Sequence, residues 1–159
     1  MIVADASSII SFARANKLDL LRQVVRNMII PEGVYDEIVV KGREKPGASE
    51  VNSAPWINLR KILDKGQLTT LSEKLGRGEK EAIILAEEKG IPLLMDDPQA
   101  RKEARERKIK LVSSPDILQE AKDRNLIPNV RESLDELIEA GFRISDKLYG
   151  NILKRAGEE

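Results

Sequence analysis

Ile2-Val3-Ala4-Asp5-Ala6-Ser7-Ser8-Ile9-Ile10-Ser11-Phe12 is the stretch on which the fold class turns. An apolar run stops on Asp5, two hydroxyls follow at Ser7 and Ser8, and Ile9, Ile10, Phe12 and Ala13 resume an apolar set. That is the pattern of a buried strand turning directly into a helix. The same order returns at Ile91-Pro92-Leu93-Leu94-Met95, which ends on Asp96-Asp97 before Pro98, a residue suited to a helix's first position.

Working outward, a helix over about Lys17 to Arg26 puts Leu18, Leu21 and Val25 on one face, and Met28-Ile29-Ile30 is a short strand ended by Pro31. Glu32 to Val40 is helical in pattern, with Val34 and Ile38 inward and Gly42 as the stop. Residues 41–55 carry Gly42, Pro46, Gly47 and Pro55, a loop or weak helix between breakers. Trp56-Ile57-Asn58-Leu59 suits a strand, and a helix over Glu79 to Lys89 closes at Gly90. Lys110-Leu111-Val112 is a last short strand, followed by a helix near Ser114-Pro115. Strands alternating with helices predict a parallel sheet covered on both faces. Val130–Ala140 and Ser145–Ala156, joined through Gly141, predict a C-terminal helical hairpin.

The chain of 159 residues fits one domain, with a core over about residues 1–125 and the hairpin over about 126–159. It has 27 basic and 27 acidic residues, so any polyanion must be met by a local patch rather than a net field. With no cysteine, thiol catalysis and thiolate metal sites are excluded, and with no histidine, imidazole acid–base chemistry and histidine metal sites are excluded too. Carboxylates must carry any catalysis. No basic-then-apolar leader and no apolar run of roughly 18 residues is seen, which predicts a cytoplasmic protein without a membrane partner.

In open parallel sheets ligands bind beyond the carboxyl ends of the strands, where Asp5, Asp96 and Asp97 fall. Carboxylates from neighbouring strands repel one another, and a hard divalent cation such as Mg²⁺ or Mn²⁺ relieves that repulsion while orienting water toward a phosphodiester. Asp5 and Asp97 also suit plain helix caps, and Ser7 either supports a metal-bound carboxylate or caps. Glu37 borders the apolar stripe of its helix and reads alone as a solvated residue. Glu79 shares a face with Ala82, Ile83 and Ala86, whereas Glu81 lies about 200° away, and both can serve simply as first-turn acids. The helix after Pro98 leans basic, with Arg101 and Arg105 as candidate phosphate contacts and a solvated face as the alternative. Aromatic residues are 3% of the chain, so no base-stacking platform is evident.

Together these residues resemble the PIN-domain family, which includes the ribonuclease toxins of prokaryotic toxin–antitoxin pairs. The resemblance is carried by Val3-Ala4-Asp5-Ala6-Ser7, Val34-Tyr35-Asp36-Glu37-Ile38, Leu75-Gly76-Arg77-Gly78-Glu79-Lys80-Glu81-Ala82-Ile83 and Leu94-Met95-Asp96-Asp97. The Gly-Glu-x-Glu-Ala form and the tail Ala140-Gly141-Phe142-Arg143-Ile144-Ser145 are similar to a mostly uncharacterised prokaryotic subgroup of PIN nucleases. The resemblance implies a three-layer α/β/α fold and an acidic pocket for Mg²⁺ or Mn²⁺. It further implies cleavage of single-stranded RNA, a homodimer, and an antitoxin partner. Asp5, Glu37 and Asp97 would be the metal-facing acids, supported by Ser7.

At the third acid, helical phase points to Glu79 and the family's acid-then-alanine step points to Glu81. At the fourth motif, Met95 stands where a hydroxyl residue is common, which leaves Asp96 and Asp97 as alternatives. The rival expectations are a non-catalytic PIN scaffold that binds RNA or protein, and a phosphatase of the haloacid-dehalogenase type. The latter is disfavoured because Ser7 occupies the position of its second aspartate.

Overall fold

The computed structural model describes residues 1–159. Five short strands, β1 (Ile2–Ala4), β2 (Met28–Ile30), β3 (Ile57–Leu59), β4 (Leu93–Leu94) and β5 (Leu111–Val112), form one sheet in the order β3-β2-β1-β4-β5. All pairings are parallel; Val3 is in register with Ile29 on one side and Leu93 on the other. β1, β2 and β4 are fully buried, so their side chains are apolar throughout instead of alternating.

The order of the strands determines where a ligand can go. From β1 the chain moves outward to β2 and β3, then crosses back over β1 to lay down β4 and β5. The switch point lies between β1 and β4, where crevices open at the strands' carboxyl ends. Asp5 and Asp96 follow those two strands, and the ladder runs on past them: the Asp5 N–H donates to Leu94 O and the Met95 N–H to Val112 O.

Helices α1 (Ala6–Arg14), α2 (Leu18–Val25) and α7 (Ser114–Asp123) pack together, and α5 (Arg77–Lys89) packs with α6 (Pro98–Glu106). Right-handed crossovers place these two groups on opposite faces of the sheet. Fully buried Ile9 and Phe12 of α1, and Ala82, Ile83, Ile84 and Leu85 of α5, seal the two faces within one core cluster of 36 residues. Each large side chain so buried contributes about 1.5–3 kcal/mol. The middle of α5 is apolar on every side because the helix lies between the sheet and its neighbours, the helix opening at Glu32 and α6.

The helical pattern over Glu32 to Val40 divides into α3 (Glu32–Tyr35) and a widened π turn (Asp36–Val40). Gly42 closes that turn because a Cβ there would sit 2.5 Å from Ile38 O. The breaker-rich stretch holds a short helix, α4 (Ala48–Ser53), and a 3₁₀ turn covers Lys65–Thr70, where no periodicity announced one. Gly33 and Gly78 let α3 and α5 meet backbone to backbone: a Cβ on Gly33 would come within 3.1 Å of Gly78 N and Cα.

The C-terminal helices are α8 (Val130–Glu139) and α9 (Asp146–Arg155). α8 packs on α7 and α1, and α9 is tied across it by the Tyr149 hydroxyl, which donates to Asp135. No helix is long and apolar enough to cross a membrane.

Candidate metal centre

Asp5 is 1% exposed, an uncommon place for a carboxylate. It sits at the cap of α1 because the strand must end where the helix begins, and one oxygen accepts from the Ser8 N–H at 3.1 Å. The other oxygen accepts from the Ser7 hydroxyl at 3.1 Å. Capping and site geometry are therefore the same geometry. Burial pushes the Asp5 carboxyl up to about 7, the negative charge of Asp96 adds to the rise, and the hydrogen bonds from Ser8 and Ser7 hold it back.

Asp96 extends from the end of β4 beside it. Its oxygens accept from the Ser114 N–H at 2.7 Å, from the Ser114 hydroxyl, and from the Ser8 hydroxyl at 3.0 Å. Burial again raises the carboxyl, against the lowering effect of those donors and of Arg101. Ser8 thus touches both aspartates, giving its N–H to Asp5 and its hydroxyl to Asp96. Neither aspartate forms an ion pair with a lysine or arginine.

The other acids stand on helices. Asp97 caps α6 by accepting from the Ala100 N–H at 2.9 Å. Glu79 accepts from the Gly76 N–H at 3.0 Å at the start of α5. Burial raises the Glu79 carboxyl above its ordinary range, and the negative charges of Asp97, Glu37 and Glu103 raise it further. Glu37 is exposed on the π turn and contributes to that field.

Glu81 is employed differently. Buried to 7% exposure, it accepts from the Gly33 N–H at 2.8 Å and from Arg77 at 2.9 Å, while Arg77 also donates to Asp36 at 2.7 Å. Those bonds tie α3 to α5. Two residues apart on a helix, Glu79 and Glu81 face opposite ways.

Met95, in place of a hydroxyl residue, is fully buried in the core, and its carbonyl accepts from Arg101 at 2.7 Å. The hydroxyls that steady Asp96 come instead from Ser8 and Ser114. The sequence pattern offered Ser8 only as a hydroxyl following Asp5 and Ser114 only as a helix start. The one signal is a serine pair after each of two apolar strands, directly after β5 at Ser113-Ser114 and, past two intervening residues, after β1 at Ser7-Ser8.

No group of three or more carboxylates converges closely enough to hold an ion in this side-chain arrangement. Asp5 and Asp96 still fit a hard cation. They are all-oxygen donors, mutually repelling, and unneutralised by any ion pair, and Mg²⁺ commonly binds one or two carboxylates with water and phosphate in its remaining positions. Beside Asp96 and Asp97 opens a cleft of about 1000 Å³, also lined by Ser7, by Arg101 and Arg105 of α6, and by the segment joining α8 to α9.

Residues 1–158 match a sequence family described as PIN domain. Among solved structures the chain is similar to a PilT N-terminus domain protein from the hyperthermophilic archaeon Sulfolobus solfataricus P2. The TM-score is 0.55 at 16% identity, over 74% of this chain and 90% of that one. That likeness carries the fold alone. No curated protein sequence matches.

Proposed function

From the premise that this chain belongs to the PIN-domain family, a family of nucleases, we propose that it is a metal-dependent endoribonuclease cutting single-stranded RNA. The supporting observation is the pair of buried Asp5 and part-buried Asp96 at the switch point, joined through Ser8 and paired with no basic side chain. Two like charges drawn out of water together are costly unless a cation accompanies them. The residues that would hold Mg²⁺ or Mn²⁺ are Asp5 and Asp96. Asp97, Glu79 and Glu37 stand along the helical side, and Ser7 fixes the outer oxygen of Asp5. The ion supplies charge neutralisation for the phosphodiester and a more acidic water. Glu79, its carboxyl raised above the ordinary glutamate range by burial and by the charges of Asp97 and Glu37, is the group suited to hold or move a proton.

The family setting extends the proposal to a toxin that works as a homodimer in the cytoplasm and is restrained by an antitoxin. The purified chain, given labelled single-stranded RNA or DNA with Mg²⁺ or Mn²⁺, should cut the RNA and lose turnover and ion binding in the Asp5→Asn variant. A folded wild-type protein that binds neither ion and cuts neither polymer would leave a non-catalytic scaffold as the better account. Copurification of a small partner on co-expression with the neighbouring gene tests the antitoxin.

A further inference from the structure

The cleft beside Asp96 has a second wall that the nuclease proposal does not use. One side is α6, which presents Arg101 and Arg105; the other is the segment between α8 and α9, which presents Arg143, with Arg155 of α9 behind it. Two of these guanidinium groups are occupied. Arg101 donates to Met95 O, and Arg155 pairs with Asp116 at 2.9 Å. Arg105 and Arg143 are exposed, take part in no ion pair, and face the same cleft from different elements.

Arg143 is held in place by its neighbours. Gly141 turns the chain at φ +116°, the Phe142 N–H donates to Leu137 O at 2.9 Å, and the Phe142 side chain is buried. Two residues on, the Ser145 hydroxyl accepts from the Leu148 N–H at 3.1 Å and starts α9. Arg143 therefore projects from a short segment fixed at both ends. Ile144 and Leu148 add apolar surface to the same wall, Leu148 being 46% exposed. No asparagine, glutamine or aromatic side chain other than buried Phe142 lines the cleft.

We propose that Arg105 and Arg143 form a two-sided phosphate clamp that holds the strand leading away from the cut site, making the α8–α9 segment part of the substrate channel. This rests on the nuclease proposal. Guanidinium groups pair with phosphate oxygens, and the apolar wall of Ile144 and Leu148 meets the adjoining sugar and base. An acidic protein segment is the competing occupant, disfavoured because Asp96, Asp97 and Asp116 line the same cleft. A carboxylate-rich chain would meet them without the ion that a phosphodiester shares.

The test is fluorescence anisotropy of a short labelled single-stranded oligoribonucleotide with the full chain in EDTA, across a salt series. Arg105→Ala/Arg143→Ala should weaken binding about tenfold at low salt and reduce the log–log salt slope by about 1.4. Arg105→Lys/Arg143→Lys should keep most of the slope, and Lys89→Ala, at the far end of α5, should match wild type. With Mg²⁺ or Mn²⁺ the alanine pair should raise KM and leave kcat near wild type.

Equal affinities for the alanine pair and Lys89→Ala would overturn the clamp. So would loss of polyglutamate binding with oligonucleotide binding intact, which would assign the cleft to a protein partner. If wild type cuts nothing but its oligonucleotide binding depends on the arginine pair, the clamp stands and the nuclease proposal falls. If it cuts with a KM indifferent to the pair, the reverse holds.

Discussion

The acids at the strand ends and the acids on the helices are held on different principles. Asp5 and Asp96 are held by serine hydroxyls and backbone N–H groups at the ends of two adjacent strands, and burial raises both carboxyls. Glu79 and Asp97 each spend one oxygen on a helix start, and Glu37 stands exposed on a π turn. The strand side is fixed before any ligand arrives, at a cost in charge burial. The acids of the helical side are held by one backbone N–H each or stand exposed. A binding site placed on the sheet and adjusted from helices would show this division, and it can be broken at measurable points.

The largest expected effect is on turnover. Asp5→Asn or Asp96→Asn should lower RNA cleavage by more than the roughly 10- to 100-fold that partners outside the metal shell cost. The same Asp5→Asn change should raise the thermal midpoint of the ion-free protein above pH 7, because asparagine still caps the helix and no charge remains buried. A fall in stability with activity retained would reverse the comparison.

Next comes pH. In EDTA, the Asp5 carboxyl rises from 3.8 in the unfolded chain to about 7 in the folded one. The native state therefore binds more protons between those values, so stability present below about pH 4 is lost as pH rises to about 7. Such a rise corresponds to a loss on the order of 4 kcal/mol. Asp96 and Glu79, also raised, add in the same direction. Denaturant melts across this range measure it, and saturating Mn²⁺ should flatten the profile. A stability that climbs with pH in EDTA would show that the pair is not strained.

Ser114→Ala removes a hydroxyl from Asp96 and should weaken Mn²⁺ binding about tenfold, read by calorimetry, with the fold intact. At the junction of α3 and α5 the two glutamates should separate. Glu81→Ala should cost about 1–2 kcal/mol of stability, chiefly from the buried Gly33 N–H left without an acceptor. Glu79→Gln should leave stability unchanged or slightly raised at neutral pH and reduce turnover. Equal behaviour of the two variants would remove the distinction between a tie and a site residue.

Much of this was legible beforehand, and unevenly. The apolar runs ending on Asp5 and Asp96, the glycine after α5 and the proline at the start of α6 mark strands and helix boundaries by local chemistry alone. The π turn after α3 and the 3₁₀ turn at Lys65–Thr70 carry no comparable signal, because their geometry answers to packing around Gly42 and to the loop's ends. Helical phase set Glu79 and Glu81 on different faces and put Glu79 in line with the apolar stripe, whereas the structure buries Glu81 and leaves Glu79 half-buried. That Glu81 binds Gly33 depends on α3 arriving over α5, and no spacing within α5 encodes that.

By itself, then, the sequence determined an alternating α/β chain without cysteine or histidine, whose candidate site acids follow apolar runs. Tertiary structure decided which acids meet. Parallel pairing of β1 with β4 brings together residues 91 positions apart in the chain, Asp5 and Asp96, and places Ser8 and Ser114 to steady them. The same folding turns Glu81 inward to its tie with Gly33 and leaves Arg105 and Arg143 facing one cleft. Local propensity can name a carboxylate's element and direction, but what stands opposite it is set by the order of strands and the packing of helices on them.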